Sequence, residues 1–129
     1  MNDKSRQILR YSLAGMFFWF AWQQLLSPSE WVGFLPTWTG YLPIPAEMLV
    51  QVNGWLESVL ALALLAGVFV RPVSLILGLH LVAIAWEVSG AIGVRDLALA
   101  LSIIALAVSS ADSWTLDYLS KQSQEKISD

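Results

Sequence analysis

Long apolar runs, separated by short stretches rich in turn formers or charge, organise this chain. A membrane core about 30 Å thick is crossed by about 20 apolar residues in helical form. Four such runs can be drawn: about Ile8 to Leu26, Ala46 to Val70, Pro72 to Ser89, and Ala91 to Ser110. The pattern predicts an all-α, integral membrane four-helix bundle occupying residues 1–120 as one domain, with a polar, loose tail at 121–129. The second and third runs are separated only by VRP, where Pro72 suits a first helical turn and would break a helix interior. The third and fourth are separated by VSGAIGVRD, whose glycines and adjacent charges predict a short exposed turn.

Composition supports the membrane reading. Hydrophobic residues make up 57% of the chain, charged residues 13%, and the mean hydropathy is +0.62, which excludes an ordinary soluble domain. The formal charge of -3 carries no basic patch, so no nucleic-acid partner is expected. The opening MNDKSRQILR followed by an apolar run has the order of a secretory signal. No small-residue cleavage site follows it, and it reads as a retained first span.

The placement of cations predicts orientation. Lys4, Arg6, Arg10, Arg71, Lys121 and Lys126 fall on one side of the drawn spans, against Arg95 alone on the other. The positive-inside rule therefore places both termini in the cytoplasm, for a multi-pass protein of a bacterial or archaeal plasma (inner) membrane. The connection SPSEWVGFLPTWTGYLPIPAE then lies outside; it holds Trp31, Phe34, Trp38 and Tyr41 among four prolines, with no Lys or Arg. An aromatic belt at headgroup level accounts for it, and a binding lid is the alternative.

Polar residues inside the spans are the candidate chemistry. Glu57 lies near the middle of the second span, and His80, the only histidine, near the middle of the third. Consecutive spans joined by a tight turn are antiparallel neighbours, so a Glu57–His80 contact is expected. A charge at the bilayer centre costs about 2.5–3.5 kcal/mol, which such pairing offsets in part. Helical spacing extends the polar set through Asn53, Glu87, Arg95, Asp96 and Gln23. It also draws lines through Ser12, Met16, Trp19 and Gln23 in the first span, and through Arg95, Ser102 and Ser109 in the fourth. Turned toward a common interior, these faces would form a cavity opening outward, above a sealed cytoplasmic half made of LALALLAGVFV and IIALAV. The competing account is that Glu57, Asn53 and His80 are hydrogen-bonding glue between helices, with Arg95 paired to Glu87 or Asp96.

No cysteine is present, so thiolate metal sites, iron-sulfur ligation and dithiol chemistry of the chain's own are excluded. One histidine makes no multi-histidine metal or haem site, and no catalytic residue is assigned.

Several stretches in order resemble the DoxX family of small four-helix membrane proteins. They are LRYSLAGMFFWFAWQQLLSPSEWVGFLP, NGWLESVLALALLAGVFVRP with Glu57, Gly67 and Arg71, LGLHLVAIA with His80, VRDLALALSIIALAV with Arg95 and Asp96, and DSWTLDYL with Leu116 and Asp117. SSADSW stands where the family usually has a glycine-rich turn. The resemblance implies a subunit or companion of a membrane redox system, such as a thiosulfate-oxidising, quinone-reducing enzyme; a quinone is then a candidate ligand. The sequence leaves three readings. One is an accessory protein whose outward polar pocket (Asn53, Glu57, His80, Glu87, Arg95, Asp96, Gln23) binds a small molecule or a partner segment. The second is a small carrier or quinone-adjacent proton-handling subunit, and the third a purely structural protein. Self-association through AGVF and SGAIG is open, since both stretches fit internal packing equally.

Overall fold

The computed structural model describes residues 1–128, and these form five α-helices: α1 (Asp3–Leu26), α2 (Ala46–Ala66), α3 (Val70–Glu87), α4 (Gly90–Val108) and α5 (Leu116–Ser128). Two short 3-10 helices, Pro28–Phe34 and Thr37–Tyr41, occupy the connection between α1 and α2. There is no strand among the described residues. Three helices, α2, α3 and α4, are long and apolar enough to cross a membrane.

Helix α1 is longer than any of these, but Arg10, Gln23 and Gln24 lower its hydropathy. Asn2 caps its start, accepting a hydrogen bond from the Ser5 N–H at 2.8 Å. Gly15 lies in its interior with open space where a Cβ would stand. Gly15→Ala is therefore expected to stabilise the protein by about 0.5–1 kcal/mol through helix propensity alone. Thermal unfolding in lipid nanodiscs checks this, and a loss of stability would mean that another surface packs closely on that face.

The helices pack as two close pairs, α1 on α2 and α3 on α4, which meet through α2 against α3 and α1 against α4. Leu13, Phe17, Leu64, Leu77, Ile103 and Leu106 fill the space between them. The outward faces carry Phe18, Trp22, Val59, Leu62, Leu79, Leu101 and Val108, all exposed. An apolar exterior around an apolar core is the arrangement that lipid, not water, solvates.

Several element boundaries differ from the sequence expectation. Helix α2 stops at Ala66, and the turn is Gly67 to Phe69, upstream of VRP. Gly67 takes a left-handed conformation, φ 74°, and the Val68 N–H returns to the Ala63 carbonyl at 2.9 Å, a glycine-terminated helix end. Pro72 is then the third residue of α3, still within the turn whose N–H groups lack intrahelical acceptors.

The tail expected to be loose is helical as far as Ser128, with Asp129 outside the described residues. Its start is tied down. The Asp117 carboxylate accepts hydrogen bonds from the Phe69 and Val70 N–H groups, each at 3.0 Å, and so caps α3, while the Asp117 N–H donates to the Gly67 carbonyl. Thr115, fully buried, accepts from the Tyr118 N–H at 3.1 Å and starts the first turn of α5.

Residues 112–117 also bind α1. Arg10 is fully buried, and its Nε donates to Asp112 Oδ2 at 2.8 Å. Its Nη1 donates to the carbonyls of Leu64 and Leu65, which lie in the last turn of α2, where carbonyls lack intrahelical donors. One guanidinium thus joins α1, the end of α2 and the segment after α4. Beside it, Asp3 accepts from the Ser113 hydroxyl and N–H at 2.6 and 2.9 Å, and these bonds hold its carboxyl below the usual carboxylate range.

Candidate ligand-binding site

A second polar cluster lies away from the Arg10 end, between the last turn of α1 and the middles of α2 and α3. Glu57, in the middle of α2, is 3% exposed. Its Oε2 accepts a hydrogen bond from Gln24 Nε2 at 2.7 Å. Its Oε1 meets His80 Nε2 at 2.9 Å and Asn53 Nδ2 at 3.1 Å. Asn53 also donates to Gln24 Oε1 at 2.8 Å, closing the network. Gln24 and Asn53 donate to the acid, and a ring nitrogen of His80 faces it.

The helices make this possible in simple ways. Asn53 and Glu57 are one turn apart on α2 and share a face. Gly54 sits between them, where a Cβ would approach the Ala21 carbonyl oxygen at 3.1 Å, so its absence lets α1 come close enough for Gln24 to reach the acid. His80 approaches from α3, with 29% of its side chain exposed against 4% for Glu57. The pair therefore has a covered member and an accessible one.

What His80 faces is a cavity of about 660 Å³, within the range of small-molecule sites. Glu57, His80, Gln24 and Asn53 line it at one place. Elsewhere its wall is apolar and largely aromatic, from Phe17, Phe20, Trp31, Phe34 and Trp38. Trp31 packs on Phe20 and Phe34 with ring centroids 5.6 and 5.4 Å apart, so the rings form one continuous surface. The aromatic residues of the α1–α2 connection thus contribute to a cavity wall, with the exception of Tyr41, which is 92% exposed.

Arg95 and Asp96 line the same cavity from α4 and pair with each other at 2.8 Å. Glu87 is not brought in: it is exposed at the last residue of α3 and takes no part in the Arg95 pair. Gln23 is also outside the cavity, and Gln24 takes the place expected for it. The reason is rotational. The buried face of α1 runs through Arg10, Leu13, Ala14, Phe17, Ala21 and Gln24, about one position away from the line through Ser12, Met16, Trp19 and Gln23, of which Trp19 alone lines the cavity. Ser102 and Ser109 likewise turn away from the site and bond their own helix, to the carbonyls of Ala98 and Leu106. Among the described residues no three His, Asp or Glu side chains converge as metal ligands.

Apolar helices of spanning length, an apolar exterior and a buried acid held by amide and imidazole groups define a helical membrane protein with an internal polar site. A model of the DoxX family matches residues 5–90. The chain belongs to the DoxX family. The matched region includes Gln24, Asn53, Glu57 and His80, and ends before Arg95, Asp96 and the Asp112–Asp117 segment. No curated protein and no solved structure matches the chain.

Proposed function

We propose that this DoxX protein is an accessory subunit of a membrane redox system. In this reading it holds a small molecule in the cavity above Glu57 and His80 and performs no covalent chemistry itself. The observation that carries the reading is the accessible His80 on a covered Glu57 at the floor of an aromatic cavity. Helix glue requires the hydrogen bonds but gives no reason for the open volume beside them. A bound molecule would set its apolar body against the rings of Trp31 and Phe34 and its polar end at His80. The residues present fit a quinone-type ring in this sense, with aromatic walls for the ring and the polar side chains around His80 for its oxygens.

In this account α1 joins α2, α3 and α4 as a fourth span of one bundle. The polar groups that lower its hydropathy, Arg10 and Gln24, are both buried and hydrogen-bonded within the protein, so they are not presented to lipid. Both termini are cytoplasmic. Lys4, Arg6 and Arg71 cluster at the Arg10 end of the helices, and the cavity is at the other end, facing outward from a plasma membrane.

A second reading follows from the same pair. His80 reaches the cavity, and Glu57 at 2.9 Å orients it. A proton could pass between a bound molecule and His80 with Glu57 as counter-ion, the role of a proton-handling subunit beside a quinone-type acceptor.

Filling the cavity separates these readings from a purely structural role. Ala83 lines it from α3, and Ala83→Trp is expected to abolish quenching of the cavity tryptophans by added ubiquinone analogues while the unfolding temperature stays near that of the wild type. Equal quenching in both proteins would remove the site from the account.

A further inference from the structure

The charge balance of the cavity identifies the class of molecule it selects. Four ionisable residues line it: Glu57 from α2, His80 from α3, and Arg95 and Asp96 from α4. Helix α1 contributes Gln24 and no ionisable group, and the 3-10 segments contribute aromatic and apolar residues with Thr39. Glu30 and Glu47, the acids of the α1–α2 connection and the start of α2, are exposed and outside the wall. Arg95 and Asp96 neutralise each other at 2.8 Å. What remains is Glu57, a carboxylate served by three nitrogen neighbours, with His80 as its one titratable partner.

When His80 is neutral, the cavity therefore carries one net negative charge inside an apolar wall. That wall is made of rings. The faces of Trp and Phe attract cations, and weakly polar surroundings strengthen the attraction of a carboxylate for an opposite charge. When His80 is protonated, the imidazolium 2.9 Å from Glu57 cancels the charge, and the electrostatic preference disappears.

Resting on the small-molecule reading above, we infer that the cavity selects lipophilic cations, and that protonation of His80 displaces them. Glu57 supplies the attraction, the aromatic wall takes the apolar substituents, and His80, once protonated, competes with the guest for Glu57. Anionic amphiphiles are disfavoured, because the one cation besides His80 in the wall is already paired with Asp96.

The test uses the full chain in phosphatidylcholine nanodiscs, with empty nanodiscs as reference. Three probes of similar shape are titrated against tryptophan fluorescence: tetraphenylphosphonium, neutral triphenylphosphine oxide, and anionic tetraphenylborate. At about pH 8 the cation is expected to bind about tenfold or more tightly than the neutral probe. The anion is expected to bind least. At about pH 5 the preference for the cation is expected to vanish. Glu57→Gln, which keeps the shape and one acceptor oxygen, removes the preference at both pH values and leaves neutral-probe binding in place. His80→Gln keeps an N–H for Glu57 and retains cation binding, but without its pH dependence. If the neutral or anionic probe binds as tightly as the cation at about pH 8, the inference is overturned while the cavity remains a ligand site. If none of the three binds, both readings fall.

Discussion

Replacing Arg10 with methionine is expected to destabilise the protein by about 3–5 kcal/mol, the range for breaking a buried ion pair from one side. The guanidinium is fully buried and Asp112 is 1% exposed, so solvent does not screen the pair. Removing Arg10 leaves the Asp112 carboxylate with the Trp114 N–H at 3.0 Å as its remaining partner. It also removes the Arg10 donor from the Leu65 carbonyl at the end of α2 and leaves the Leu64 carbonyl with the Gly67 N–H at 3.2 Å. Arg10→Lys is expected to recover part of the loss, because an ammonium restores the charge but not the fork that serves Asp112 and two carbonyls together. Arg10→Met with Asp112→Leu is expected to be more stable than Arg10→Met alone, since no unpaired charge stays buried. Unfolding in sodium dodecyl sulfate, followed by circular dichroism in mixed micelles, reads all of these. A loss below about 1 kcal/mol for Arg10→Met would place the arginine in an exposed pair.

Gly67→Ala is expected to be the next most damaging change, at more than about 2 kcal/mol. A left-handed backbone disfavours any Cβ by about 1–2 kcal/mol, and here the Cβ also has no room. It would stand 2.6 Å from both Cα and Cβ of Thr115. Thr115 cannot withdraw easily, because its hydroxyl donates to the Asp112 carbonyl at 2.8 Å while accepting from the Tyr118 N–H. The overlap is with backbone, so Thr115→Ala is not expected to rescue Gly67→Ala. A rescue in thermal unfolding would show that the contact belongs to the threonine methyl alone.

These two residues show where the sequence was informative and where it was not. Apolar run lengths are set by membrane thickness, a one-dimensional constraint, so α2, α3 and α4 were legible within a few residues. The approach of Glu57 to His80 was legible for a related reason, since two consecutive helices joined by a short turn bring equal depths together. Rotation about a helix axis was not. It depends on how side chains interdigitate, and a shift of about one position put Gln24 in the site in place of Gln23. Glu87 was assigned by a seven-residue spacing that carries no information on where the helix ends, and α3 ends at that residue.

In the sequence Arg10 marks only the cytoplasmic side. Its partner Asp112 is 102 residues away, and no local pattern announces a pair at that separation. The usable signal was the position of an arginine inside an apolar run, which has the same cost that drew attention to Glu57. Likewise DSWTLDYL resembles a family ending, and nothing local in it announces its structural role. It closes the Arg10 end through Asp112, fits against Gly67 through Thr115 and caps α3 through Asp117. Capping and burial of this kind anchor the start of α5, whose later residues form the tail that reads as loose.

The two polar clusters thus divide the labour. Arg10 and Asp112 are sealed and satisfied at one end of the core, and their role is architectural. In the other cluster, Glu57 is covered while His80 reaches an open volume. The central claim is that His80 is the contact between this polar network and a molecule in the cavity. Because the chain has one histidine, nitrogen-15 labelling of histidine gives a single imidazole spectrum, and its titration can be followed with and without triphenylphosphine oxide or tetraphenylphosphonium in nanodiscs. The account predicts that the His80 ring nitrogens shift when a probe is added to the wild type, and do not shift in Ala83→Trp. An imidazole spectrum unchanged by saturating amounts of both probes in the wild type would contradict it.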